Sequence, residues 1–232
     1  AQAERMIGDG VDMLDIGAES TRPGAEAITA SEQMDRLGDV LEGLRGAPVP
    51  LSLDTSLPEV MQMGLRLGVV MINDVRALRH AGALDVIVKA RAAVCLMHMQ
   101  GEPRQMQETP VYENVIAEVE TFLMGQVQAC LDRGLHRNAI AIDPGFGFGK
   151  NFAHNRALFG ALPRLASHGL PLLVGVSRKR MIGELTGQVL PVERDAGSLA
   201  AHVMALERGA RILRVHTVKP TVDAVQVWAG LV

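Results

Sequence analysis

Polar residues close one apolar run of this chain after another, and their types suit two different ligands. Asp15 leads into Glu19-Ser-Thr-Arg-Pro-Gly24, and Asp54-Thr55-Ser56, Asn73-Asp74, Met97-His98, Asp143, Ser177-Arg178-Lys179 and Arg214-Val-His216 follow in order. Carboxylates and amides belong to the early runs, bases to the late ones. Thr21 with Arg22, Arg178 with Lys179, and Arg214 with His216 suit a phosphate-like anion, because Arg offers a bidentate fork and Thr a hydroxyl donor. Asp54, Asn73 and Asp143 suit a flat nitrogen heterocycle carrying an amino group: a carboxylate accepts two N–H bonds side by side, and an amide both donates and accepts. Arg214 and His216 are two apart, so on a strand they share one face with Ile212. Two blander readings stand beside these. Arg214 could form a structural ion pair with a strand-end carboxylate such as Asp15, since a buried Arg is costly unpaired. Asp54, ahead of Thr-Ser-Leu-Pro, could simply cap the helix that follows.

Something must bring these run ends together, and the hydrophobic period says what. Seven near-continuously apolar runs read as buried parallel strands: Val11–Gly17, Pro50–Thr55, Val69–Val75, Ala93–Met99, Ala139–Gly145, Pro171–Ser177 and Arg211–Thr217. Helical patterns alternate with them, near Ser31–Leu44, Pro58–Leu67, Ala83–Ala92, Glu113–Arg133, Asn155–Leu165, Asp195–Arg208 and Val222–Gly230, with Gly134 and Gly209 as stops. Residues 1–10 read as the end of a helix, which implies one more strand ahead of it. Eight βα units in about 250 residues are typical of a (β/α)₈ barrel, whose active site forms where strands run into βα loops. The expectation is thus a single barrel domain over residues 1–232 that lacks its first strand. A doubly wound sheet is the rival, but Asp15-Ile-Gly-Ala-Glu19 lacks the G-x-G-x-x-G turn.

Composition narrows the partners. The 232 residues carry 23 Lys+Arg against 26 Asp+Glu, a net charge of −3, and 48% are hydrophobic. A chain without a basic stripe is not expected to hold nucleic acid. The apolar runs fall far short of the roughly 20 residues of a membrane span. With two cysteines and no leader pattern, a reduced cytoplasm is expected. Gly145-Phe-Gly-Phe-Gly-Lys-Asn151 is one residue short of a phosphate loop and lacks its hydroxyl, so it reads as a mobile, glycine-rich active-site loop. His98, His154 and His202 lack zinc-ligand spacing and read as structural or surface residues. No Gly-x-Ser-x-Gly elbow offers a covalent nucleophile.

Eight motifs in order carry a resemblance to the bacterial dihydropteroate synthases. They are Asp15-Ile-Gly-Ala-Glu-Ser-Thr-Arg-Pro-Gly24, Ser52-Leu-Asp-Thr-Ser56, Ile72-Asn-Asp-Val75, Cys95-Leu-Met-His-Met-Gln-Gly101, Asp143-Pro-Gly-Phe-Gly-Phe-Gly-Lys150, Val176-Ser-Arg-Lys179, Gly197-Ser-Leu-Ala200 and Arg214-Val-His216. The resemblance implies a (β/α)₈ barrel that joins 6-hydroxymethyl-7,8-dihydropterin diphosphate to 4-aminobenzoate, releasing pyrophosphate and 7,8-dihydropteroate in folate synthesis. It implies that Asp54, Asn73, Asp143 and Lys179 hold the pterin, with Arg214 stacked on its ring and Met97 and Phe148 lining the pocket. Thr21, Arg22, Arg214 and His216 then hold the diphosphate, and Asp54, Lys179 and Arg214 form the catalytic set. It further implies Mg²⁺, a homodimer and a sulfonamide target.

The sequence departs from the family pattern in three places. The family's first strand and loop are absent, so no metal ligand can be named. Arg180 stands where many members place a Ser near the aminobenzoate, and Thr217 stands where Asp is usual after Arg-Val-His. Two alternatives remain at this point. One is a folate-to-corrinoid methyltransferase barrel, which has no need of a diphosphate clamp, and the other a catalytically silent pterin-binding protein.

Overall fold

A computed structural model describes residues 1–17, 28–101 and 110–232. Among these residues seven strands are present: β1 (Leu14–Gly17), β2 (Leu51–Asp54), β3 (Met71–Asp74), β4 (Ala93–Met97), β5 (Ile140–Asp143), β6 (Leu173–Val174) and β7 (Ile212–Leu213). The helices are α1 (Gln2–Gly8), α2 (Ala30–Gly43), α3 (Pro58–Arg66), α4 (Ala83–Ala90), α5 (Val115–Asp132), α6 (Phe152–Gly160), α7 (Leu162–Ala166), α8 (Arg180–Thr186), α9 (Asp195–Glu207) and α10 (Val218–Leu231).

All the strand pairs are parallel and sequential. The order is β1-β2-β3-β4-β5, then β6-β7, with the two groups joined by the bridge Ile142–Leu172 and by Ile142 N–H donating to Pro171 O at 3.0 Å. A doubly wound sheet would reverse its order at a switch point. This one does not, and the architecture is the α/β barrel. Side chains cross between its two ends, β7 and β1, where Arg214 reaches Asp15.

Period two explains the layers. Leu53, Ile72, Val94, Leu96, Ile140, Ile142, Leu172 and Val174 face outward and pack under the helices in one buried core. Met71, Cys95, Ala141 and Leu173, with Met13 and Ile212 against them, face inward and fill the barrel floor. Each fully buried Leu or Ile contributes about 1.5–3 kcal/mol, so truncating Leu53 or Ile142 to Ala should cost about 2–5 kcal/mol.

Local chemistry sets the helix ends. Thr29 and Glu32 form a capping box on α2, and Asn114 accepts from Ala117 N–H at the start of α5. Gly134 and Gly209 stop α5 and α9 at φ +83° and +95°, as the sequence suggested. Three expectations need correction. The single helix expected over Asn155–Leu165 breaks at Ala161, because Pro163 falls in the first turn of α7 and cannot donate to continue α6. Helix α10 starts at Val218 rather than Val222, since Pro220 falls in its first turn, where a missing N–H costs nothing. Helix α8 was not anticipated at all. All seven strands are shorter than their apolar runs, and the last two most of all, for each pairs over only two residues.

Candidate active site

The rim of the barrel follows from its floor by one step of the same period. Met13, Ser52, Met71, Cys95, Ala141, Leu173 and Ile212 point inward, so Asp15, Asp54, Asn73, Met97, Asp143, Gly175 and Arg214, each two residues on, stand above them. The register agrees: Gly17 pairs with Asp54, Asp54 with Asn73, and Met97 with Asp143.

Arg214 ties the acidic half together. Its Nε donates to Asp15 Oδ2 at 2.6 Å and its Nη2 to Asp54 Oδ2 at 2.8 Å, while Asn73 Nδ2 donates to the same Asp15 oxygen at 3.1 Å. The ion pair with Asp15 is therefore present, and with it a second pair that the blander reading did not foresee. Burial opposes the Arg214 charge, but Asp15 and Asp54 outweigh it and raise the pKa. Asp15 Oδ1 and Asn73 Oδ1 are buried and accept no hydrogen bond from the described residues, so both face the rim as acceptors. Asp54 does not cap α3, whose N-cap is Leu57 without a side-chain bond. Asp74, beside Asn73, is a structural group. Its oxygens accept from Ser56 Oγ, Arg76 N–H at 2.8 Å and Leu78 N–H at 2.7 Å.

Asp143 accepts from Gly145 N–H at 2.7 Å. Burial raises its pKa, and Lys179 works against that shift. Burial lowers the Lys179 amine to about 8, with Asp143 opposing. Its Nζ stands 4.7 Å from the centre of the Phe148 ring and donates to Phe146 O. Phe148 also packs on Val75, Met97 and Met99, a greasy wall beside the charged groups. On the other side of the rim, His216 Nδ1 lies 3.0 Å from Ser177 Oγ, which also accepts from His216 N–H at 3.3 Å. Thr21 and Arg22 lie outside the described residues. Arg180 turns away to Glu184 Oε1 at 2.7 Å.

Hydrogen bonds hold the glycine-rich loop in the described conformation. Lys150, 2% exposed, sends its Nζ to Gly145 O and Phe148 O at 2.9 Å each and lies 3.0 Å from His98 Nδ1. Asn155 accepts from Gly147 N–H at 2.8 Å, and the Tyr112 hydroxyl donates to Gly149 O at 2.9 Å. Gly145 is obligatory: at φ +69° a Cβ would sit 1.9 Å from His98 O. Burial lowers Lys150 to about 7 and His98 to about 3, so His98 is a neutral packing residue against Phe122. The role of Lys150 was missed because, once the phosphate-loop pattern was rejected, the sequence reading gave this lysine no role. Its signal was the run of backbone carbonyls such a turn leaves unpaired.

Comparison with known proteins agrees with this geometry. Residues 1–216 match the family described as pterin binding enzyme. The dihydropteroate synthase of Neisseria meningitidis serogroup C is 46% identical over 234 residues, covering 100% of this chain and 83% of that one. The Xanthomonas albilineans dihydropteroate synthase solved with 4-aminobenzoic acid is 49% identical with a TM-score of 0.94, over 99% of this chain and 82% of that one. The structure of the same species' enzyme with 7,8-dihydropteroate gives 46% and 0.90 over the same shares. The Yersinia pestis enzyme in a sulfonamide drug complex gives 43% and 0.95, over 99% and 83%. With its rim, its floor and these relatives in agreement, the chain belongs to the pterin binding enzyme family, among the dihydropteroate synthases.

Proposed function

We propose that the rim condenses 6-hydroxymethyl-7,8-dihydropterin diphosphate with 4-aminobenzoate, as its family's activity requires, and that its two halves divide the labour. The observation that carries this is one polar layer with acceptors on β1–β5 and cations on β6 and β7, joined through Arg214. Asp54, Asn73 and Asp143 take the N–H groups of the pterin, Lys179 donates to it, and Met97 and Phe148 cover its faces. Arg214 and His216 take the diphosphate, with Thr21 and Arg22, which follow β1 in the sequence. Their charge stabilises the departing pyrophosphate, which carries off the electron pair of the broken carbon–oxygen bond. The aniline nitrogen then forms the new bond to the methylene carbon and releases its proton to water. No side-chain base is required for so weakly basic an amine, and Asp54 beside the carbon offsets the positive charge that develops there.

Mg²⁺ fits this rim as an ion carried by the diphosphate. Such an ion needs only one or two protein oxygens beside phosphate and water. Among the described residues no cluster of three His, Cys, Asp or Glu makes a metal cage, while Asp15 Oδ1 is a buried carboxylate oxygen without a donor. Asp15 would hold the ion, which supplies positive charge to the leaving group. The catalytic set is Asp54, Lys179 and Arg214. We further read residues 1–232 as one barrel domain, active in the cytoplasm as a homodimer. In the described residues no helix is long and apolar enough to cross a membrane. Corrinoid methyl transfer is disfavoured because it gives Arg214 and His216 no diphosphate to hold. The test is formation of 7,8-dihydropteroate from the two substrates and Mg²⁺, followed by mass spectrometry. Product is the expected result, and folded protein that makes none refutes the reading.

A further inference from the structure

Between Ser177, which touches His216, and Lys179, which reaches the Phe146 carbonyl, stands Arg178 at φ +58°. A side chain that is neither Gly, Asn nor Asp rarely adopts this left-handed backbone, and it persists only where the surroundings fix it. Here they fix it through both backbone groups and the guanidinium. Arg178 N–H donates to Ser198 Oγ at 2.9 Å, and Arg178 O accepts from Arg194 Nη1 at 3.0 Å. The guanidinium forks onto Asp195, Nε to Oδ1 at 2.6 Å and Nη2 to Oδ2 at 2.7 Å. Thr217 closes the ring: its Oγ1 donates to Asp195 Oδ2 at 3.0 Å and accepts from Arg178 Nη2 at 3.3 Å.

Every one of these partners comes from outside β6. Asp195 and Ser198 are in the first turns of α9, Arg194 precedes it, and Thr217 is the N-cap position of α10 and the residue after His216. The ring thus couples the backbone after β6 to the backbone after β7, the two strands with the shortest pairing in the barrel. We infer that Asp195 is a positioning residue: by clamping Arg178, with Thr217 as the second contact, it sets Ser177 and Lys179 on one side and His216 on the other. This rests on the reading that Lys179 and His216 hold the pterin and the diphosphate. Asp195 touches neither ligand and acts through Arg178.

The geometry also says where the carboxylate could be moved. Thr217 Oγ1 already contacts both Arg178 and Asp195. A carboxylate there would reach the same guanidinium. A cavity of about 150 Å³ lined by Asp195, Ser198, His202, Thr217 and Thr221 leaves room for the longer side chain.

The experiment compares wild type, Asp195→Ala, Asp195→Asn and the double variant Asp195→Ala/Thr217→Asp. It reads KM and kcat, the Kd of inorganic pyrophosphate by calorimetry, and Tm. Both single variants should raise KM for the pterin diphosphate and the pyrophosphate Kd by about tenfold, since small misplacements of binding groups are costly. The double variant should return both to within about twofold of wild type while its Tm stays low, because Asp195 also stabilises the first turn of α9 and a carboxylate carried at position 217 does not. Asp195→Asn keeps the shape and covers the case in which the alanine variant does not fold. Unchanged KM and Kd in the folded single variants overturn the inference, and so does a double variant no better than Asp195→Ala. If wild type itself binds no pyrophosphate and makes no product, the functional reading fails and this inference with it.

Discussion

Strands β1 to β5 pair over three or four residues each, so backbone ladders set Asp15, Asp54, Asn73, Met97 and Asp143. Strands β6 and β7 pair over two, with one more ladder bond from Arg214 N–H to Val174 O at 3.0 Å, and side-chain contacts hold the charged ends of Lys179 and Arg214 and the ring of His216. On the proposed reading the contrast follows the two ligands, with Lys179 the one member of the second group that serves the pterin. A flat heterocycle needs acceptors at fixed spacing, which a ladder provides without side-chain entropy. A leaving diphosphate needs charge, which long side chains deliver and side-chain networks hold in place. Arg214 belongs to both halves, and the variants below test how far they are separable.

Arg214→Gln should have the largest effect. It removes the cation between Asp15 and Asp54 and the main charge on the leaving group, so kcat/KM should fall by about a hundredfold or more. Affinity for the diphosphate substrate should fall more than affinity for the pterin alcohol. Equal losses for both ligands would show that Arg214 serves only the acidic half.

Lys179→Ala comes next. Removing a charge-assisted donor costs about 1.5–3 kcal/mol, or about ten- to a hundredfold in pterin affinity. Its side chain is at the rim and not in the core, so Tm should barely move. Unchanged affinity in a calorimetric titration would remove Lys179 from the site.

Lys150 sharpens the comparison through pH. Burial lowers its pKa from 10.5 to about 7, so between those values the unfolded chain binds a proton that the folded chain does not. Stability then rises with pH across that window as far as this group is concerned. Urea denaturation at pH 7 and pH 9.5 should show a smaller rise for Lys150→Met than for wild type. Parallel rises in the two proteins would place the shift elsewhere. Tyr112→Phe is the smallest case: losing the bond to Gly149 O should cost about 0.5–1.5 kcal/mol in the same assay, with little change in KM.

Much of this was legible because strand period is strict. Every rim residue expected on β1 to β5 is two positions beyond an inward-facing floor residue, and the end of each near-continuous apolar run announces that in the sequence. The order of strands followed from the alternation of helices and strands alone. What escaped were features without period. Lys150 is held by carbonyls of its own turn, and Asp195 reaches Arg178 across 17 positions of chain through a fold already made. Helix α8 is seven residues long and follows directly on Lys179, too short to show a repeat. In the glycine-rich loop the feature without period is the close approach of Gly145 to His98.

The division of labour is tested most directly by calorimetric titration of wild type, Asp143→Asn and His216→Ala with the pterin alcohol and with its diphosphate. The account predicts that Asp143→Asn weakens both ligands by the same factor, while His216→Ala weakens only the diphosphate. Equal weakening of both ligands by His216→Ala, or loss of only the diphosphate by Asp143→Asn, would contradict it.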